Sequence, residues 1–129
     1  MFEGRHRRSI DDKKRVAIPA DFKEELGKEF VVRKNLFHKN IVIYSLDLFQ
    51  QDMKRSENLP DEDKMKKKLR RVLLGTATQV SCDKQGRIQI PEQLLKRVNI
   101  ADECVIVGMD DHLEMISIEQ YEEETKRSK

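Results

Sequence analysis

Tryptophan is missing from this chain, and its mean hydropathy is −0.74. Charged residues (39%) slightly outnumber hydrophobic ones (37%), which describes a wet, lightly filled protein. Cysteine is scarce too. Cys82 and Cys104 form no CxxC pair and sit in apolar, strand-like contexts, so buried free thiols are expected rather than a disulfide or ligand pair. No stretch approaches the roughly 20 apolar residues of a membrane helix. The N-terminal residues are basic but lack the apolar segment of a secretory signal, so a cytosolic protein is expected. His6, His38 and His112 have no ligand-like spacing with one another or with the cysteines, and no metal site is expected. A glycine-rich phosphate loop and a nucleophile–base pair are also lacking, so nothing supports an enzyme, a cofactor or a small-molecule substrate.

A length of 129 residues allows one ordinary domain or two small, mutually dependent ones. Halves of roughly 55 residues bury little surface alone, so they should share a core or gain one by oligomerising. The net charge of +2 is too small to define a nucleic-acid partner, but its distribution is uneven. Positive residues gather in Arg5-His6-Arg7-Arg8, in Lys13-Lys14-Arg15 and from Lys64 to Arg71. Negative ones gather at Asp61-Glu62-Asp63 and Glu122-Glu123-Glu124. For any one cluster, a solvated charged surface competes evenly with a binding role.

What the chain does have is a repeat. Residues 10–19 read IDDKKRVAIP and residues 82–91 read CDKQGRIQIP, 72 positions apart. Asp11 matches Asp83, Arg15 matches Arg87, Val16 matches Ile88, Ile18 matches Ile90 and Pro19 matches Pro91. Such a duplication implies two like halves, each presenting an arginine in the same setting.

The surrounding pattern extends the repeat. Residues 2–10 read as a strand with Arg5 and Arg7 on one face and Arg8 on the other. Asp11 to Lys14 is a polar turn, and an inward Val16 and Ile18 place Arg15 and Ala17 outward. Pro19 ends the strand and opens a helix with Phe22, Glu25 and Leu26 at helical spacing, stopped by Gly27. Phe30–Val32 and Ile41–Tyr44 make a hairpin, with Phe37 at its tip as either a subunit contact or core. Ser45 caps a helix carrying Leu46, Phe49 and Met53, and residues 56–63 read as a linker. An amphipathic basic helix follows from Lys64 to Leu73, with Met65, Leu69, Val72 and Leu73 on its apolar stripe and Gly75 at its end. The second half repeats the first: a strand over Thr76–Cys82, a turn over Asp83–Gly86, a strand over Arg87–Ile90 and a helix over Pro91–Val98. A hairpin then pairs Cys104–Met109 with Leu113–Ser117 around Asp110-Asp111. Ser117 and Gln120 form a capping box for a last helix, and the tail frays from Glu122. The expectation is an α+β fold, β-β-α-β-β-α given twice, divided as residues 1–56, a basic linker helix over 57–75, and 76–129.

The repeated Asp-x-x-x-Arg unit has two readings. One is an ion pair that closes a tight turn, worth only ~0–1 kcal/mol when exposed. The other sets Arg15 and Arg87 at a strand rim, aimed at a phosphate or a guanine edge. Arginine suits that task because its planar fork makes two parallel hydrogen bonds to guanine O6/N7 or to phosphate oxygens. The aspartate would then hold the turn and the guanidinium in position.

Met1-Phe2-x-Gly4, the two Asp-x-x-x-Arg units and the run Arg70-Arg71-Val72-Leu73-Leu74-Gly75-Thr76-Ala77 together resemble the MraZ family over residues 1–120. The resemblance implies a transcriptional regulator tied to the bacterial division and cell-wall gene cluster, cytoplasmic and nucleoid-associated. It implies that the halves adopt the swapped-hairpin AbrB-like fold, in which interleaved hairpins make a shared barrel. It also implies ring-shaped homo-oligomers that bind direct repeats in promoter duplex DNA and usually repress the operon. The family's DNA-facing motif falls on Asp11 to Arg15, with Lys13 and Lys14, and on Asp83 to Arg87, with Lys84. Arg5, Arg7 and Arg8 adjoin the first motif as auxiliary phosphate contacts or as plain solvated charge. The chain departs from the family at two places. Lys14 stands where a glycine usual in the family precedes Arg15, so a left-handed turn would be strained there, and Glu3 replaces a basic or neutral residue. A competing reading is an assembly module or an antitoxin-like protein that uses an AbrB-type domain on a protein partner.

Overall fold

Arg15–Ala17 and Arg87–Gln89, the strands that follow the two repeated turns, lie side by side and antiparallel, with Val16 opposite Ile88. These two residues are 0% and 1% exposed, so the repeats meet at the centre of the molecule. The computed structural model describes residues 1–60 and 64–126. The acidic run Asp61-Glu62-Asp63, the end of the expected linker and the last three residues of the tail lie outside the described residues.

In chain order the elements are β1 (Arg5–Ser9), β2 (Arg15–Ala17), α1 (Ala20–Leu26), β3 (Phe30–Lys34), β4 (Ile41–Ser45), α2 (Leu46–Glu57) and α3 (Lys64–Thr76). They continue with β5 (Thr78–Val80), β6 (Arg87–Gln89), α4 (Glu92–Arg97), β7 (Glu103–Gly108), β8 (Leu113–Ile116) and α5 (Ile118–Thr125). This is the duplicated order read from the sequence, in an α+β protein whose strand pairs are all antiparallel.

The halves exchange strands. A six-stranded sheet runs β1-β7-β8-β4-β3-β5, and a two-stranded one pairs β2 with β6. The first strand of each repeat therefore leaves its own hairpin and pairs with the other: β1 on β7, and β5 on β3. The hairpins abut through β4 and β8, where Ile41 faces Met115. A single core follows. Val16, Ile18, Phe22, Phe30 and Ile43 from one repeat pack with Ile88, Ile90, Leu94, Ile106 and Met115 from the other. Burying each such side chain contributes about 1.5–3 kcal/mol, and neither repeat can collect that alone. A smaller cluster of Val31, Val42 and Tyr44 lies under Leu46, Leu48 and Phe49 of α2.

Local chemistry explains the element ends. Pro19 and Pro91, at φ −53° and −55°, open α1 and α4 without a side-chain cap. Ser45 and Ser117 cap α2 and α5, their hydroxyls accepting from Leu48 N at 3.2 Å and Gln120 N at 3.1 Å. The expected capping box at Ser117 is half made, because the Gln120 amide donates to Glu124 Oε1 instead.

The structure corrects four details. Gly75 does not end α3, which runs on to Thr76; the Thr76 hydroxyl donates to Val72 O and accepts from Lys34 N, so β5 starts only at Thr78. Met65 is 48% exposed and α3 buries only Leu73; the helix rests on β3 and α2. α5 passes Glu122 and continues to Thr125, held by the Gln120–Glu124 bond and by the Thr125 hydroxyl donating to Tyr121 O. Cys82 is half-buried rather than buried, whereas Cys104 is buried as expected; both are free thiols. Burial pushes both thiols upward, that of Cys104 to about 12. Among the described residues, no helix is long and apolar enough to cross a membrane.

Candidate nucleic-acid interface

Each repeated turn is built by its aspartate. Asp11 N donates to Arg15 O at 3.0 Å and Lys14 N donates to Asp11 O at 2.9 Å; the matching bonds of the second turn are Asp83 N to Arg87 O at 2.8 Å and Gly86 N to Asp83 O at 3.0 Å. Asp11 Oδ1 accepts from the amides of Lys13 (2.9 Å) and Arg15 (2.8 Å), and Asp83 Oδ1 from those of Gln85 (2.8 Å) and Arg87 (2.9 Å). That leaves Oδ2 for the guanidinium: Arg15 Nε donates at 2.7 Å and Arg87 Nε at 3.1 Å. The four-residue spacing is what puts the arginine's amide and its Nε within reach of one carboxylate. Both aspartates are held below the usual carboxylate range, chiefly by the backbone N–H of their arginine.

The residue before each arginine is left-handed, Lys14 at φ 63° and Gly86 at φ 76°. The carbonyl it exposes is used by the other repeat, Ile18 N donating to Gly86 O at 3.0 Å and Ile90 N to Lys14 O at 2.9 Å. The expected strain at Lys14 is therefore present, and the fold needs that conformation because it joins the repeats. Two further bonds have no counterpart in the other half. Arg87 Nη1 lies 3.5 Å from Asp11 Oδ2, and Gln89 Nε2 donates to Lys13 O at 2.9 Å, where the equivalent position holds Ala17.

Arg15 and Arg87 are thus paired within the chain yet remain about one-third exposed, at 31% and 29%. Each is gripped through Nε. The terminal nitrogens of Arg15 have no partner among the described residues, and on Arg87 only Nη1 has one, Asp11. A guanidinium held at its inner edge offers its outer edge for a planar, two-point contact. The side chains of Lys13 and Lys84 are exposed beside the turns, and Lys14 is half-buried. The three arginines of β1 divide. Arg5 is exposed, Arg7 donates to Glu103 Oε2 at 2.7 Å, and Arg8 turns to Arg7 O at 3.1 Å. Glu103 raises the Arg7 pKa and claims part of its fork, so Arg7 is the least free of the expected contacts. Phe37 is 72% exposed at the hairpin tip, so it belongs to the surface. Sequence reasoning missed Gln89, whose signal was an outward position two residues beyond Arg87, and Lys23, whose side chain lies over Gly86.

Fold and site define a class: a duplicated α+β protein whose halves exchange strands and bring two aspartate-locked arginine turns together. A family model described as "MraZ protein, putative antitoxin-like" matches the chain twice, over residues 1–72 and 73–129. The chain belongs to the MraZ family.

Proposed function

We propose that this protein is a sequence-specific DNA-binding regulator of transcription that uses Arg15 and Arg87 to read duplex DNA. The observation that carries the reading is the state of the two guanidinium groups, fixed by Asp11 and Asp83 through Nε, with both terminal nitrogens of Arg15 and Nη2 of Arg87 open to a partner. A fork set in advance loses little freedom on meeting guanine O6/N7 or a phosphate. Lys13, Lys14, Lys84 and Arg5 supply the salt-dependent attraction, and the two arginines the base discrimination. The exchange of β1 and β5 between repeats supports a swapped-hairpin AbrB-like barrel. In keeping with the family resemblance, the protein represses its own division and cell-wall cluster as a ring of subunits on promoter direct repeats in the cytoplasm. Weak single contacts then gain by multivalency. It needs no cofactor and performs no catalysis.

The test is a mobility shift of the full chain on the upstream region of its operon, beside a scrambled duplex. Arg15→Ala and Arg87→Ala are expected to lose discrimination; selective binding retained by both variants together would remove the turns from the mechanism. The words "antitoxin-like" in the family description favour one other reading, a module that binds a protein. It predicts DNA binding that is weak and indifferent to sequence while a protein co-purifies.

A further inference from the structure

A groove lies beside each Asp–Arg turn, walled at the second by α1 and the residues leading into the turn and at the first by residues 99–103 and the start of α5, and the two grooves differ in charge. The groove at the second turn, about 740 Å³, is lined by Lys23, Lys28 and Lys84 with Glu24 and Asp83. Its counterpart at the first turn, about 600 Å³, is lined by Ser9, Ile10 and Asn99 where the other has Ser81, Cys82 and Gly27. That groove carries Asp102, Glu103 and Glu119 and has no lysine or arginine in its wall. At the positions matching Lys23, Lys28 and Lys84 in the other repeat stand Leu95, Ile100 and Asp12, so the basic set belongs to the second turn alone.

The basic groove is continuous with the turn. Lys84 and Asp83 belong to both, and Lys23 Nζ lies 3.5 Å from where a Cβ on Gly86 would stand, so its ammonium hangs over the loop that presents Arg87. The Lys23 charge also reaches the Cys82 thiol in the groove's floor, which it pulls downward against the effect of burial. The ammonium groups of Lys23, Lys28 and Lys84 have no partner among the described residues, and Asp83 is already engaged by Arg87 and two amides. Lysines of this kind are mobile point charges suited to phosphate rather than to base edges.

We propose that this groove takes a phosphate strand of the duplex that the second turn reads, a backbone contact made in addition to those of Lys13, Lys14 and Arg5 and without a counterpart beside the first turn. The proposal rests on the DNA-binding reading above and assigns Lys23 and Lys28, with Lys84, as its positioning residues. Each phosphate contact contributes about 0.9 to the slope of log affinity against log salt.

The experiment uses the full chain and two duplexes of equal length, one with the operon's upstream repeats and one scrambled, titrated at several potassium chloride concentrations. In the variant Lys23→Gln/Lys28→Gln/Lys84→Gln the slope is expected to become shallower by about 2–3, with both duplexes weakened and their affinity ratio kept. A second variant, Lys64→Gln/Lys67→Gln/Lys68→Gln, removes the same charge from exposed positions on α3 and is expected to keep the wild-type slope. An unchanged slope in the first variant, or an equal fall in both, overturns the groove while leaving the DNA reading intact. A wild-type chain that binds neither duplex removes the DNA reading itself, and the groove with it.

Discussion

Arg87 reaches across the repeat boundary: its Nη1 lies 3.5 Å from the Asp11 oxygen that Arg15 Nε already holds at 2.7 Å. One carboxylate therefore orients two arginines, whereas Asp83 orients only its own. Asp11→Asn is expected to lower affinity for the specific duplex by about tenfold or more, the scale of one good bidentate base contact. Asp83→Asn should have a smaller effect. Quantitative mobility shifts compare the two, and equal losses would show that the cross-repeat pair does not matter.

Lys14 and Gly86 occupy the same left-handed position with different tolerance for it. A non-glycine residue there costs about 1–2 kcal/mol, part of which glycine returns as added freedom of the unfolded chain. Lys14→Gly is therefore expected to leave stability unchanged or raise it by up to about 1 kcal/mol. Gly86→Ala should lower stability by up to about 1 kcal/mol after the same offset, and for conformational reasons alone, because its Cβ would meet nothing closer than Lys23 Nζ at 3.5 Å. Urea unfolding at constant m-value measures both.

Gly108 is constrained by space instead. A Cβ there would collide with Glu3 N and would stand 2.6 Å from Phe2 C, both backbone atoms of the N-terminal segment that bridges to Asp110. Gly108→Ala is expected to cost about 1–3 kcal/mol, read as a lower melting temperature. No loss would mean that the N-terminal segment can be displaced freely.

His112 carries a pH dependence. Its Nδ1 lies 2.7 Å from Asp111 Oδ1 and its Nε2 lies 3.2 Å from Glu114 Oε2, and Glu114 also accepts from Asn35 and Asn40 in the facing hairpin. Hydrogen bonding to Glu114, then to Asp111, raises its pKa above the usual 6.5. A raised folded value means the contribution is complete below that ordinary value and is lost as pH climbs through the raised one. Thermal stability should fall as pH rises above the ordinary histidine value, and His112→Gln should flatten that decline. An equal slope in the variant would assign the effect to other groups.

Much of this architecture was legible because the chain says it twice. Asp11 and Asp83, Pro19 and Pro91, and Ser45 and Ser117 each recur at one offset, so a turn, a helix start or a cap inferred in one repeat was corroborated in the other. Legibility stopped where tertiary contact overrode local signal. Thr76 stays helical past Gly75 because Lys34, 42 residues away, uses its hydroxyl. Met65 fits an apolar stripe by spacing, yet of that stripe only Leu73 is buried. The arginine turns were read from composition and spacing, but the sharing of Asp11 by both arginines was not, because no local pattern encodes a contact between residues 11 and 87. The two opposed grooves were hidden for the same reason, each being assembled from both repeats.

The exchange of β1 and β5 has a consequence for how the molecule comes into being. β1 precedes every other described strand, yet its sheet partner is β7, Glu103–Gly108, in the other repeat. A nascent chain growing at about 5–20 residues per second holds Val16 and Ile18 without their facing layer until Ile88 and Ile90 have emerged. Pairings this distant in sequence make folding slow relative to local hairpins. Translation must therefore have passed Ile90 before the cross-repeat bonds that brace either arginine turn can form, and a chain cut short of it braces neither. Synthesis of both repeats is thus written into the site as a condition for its assembly.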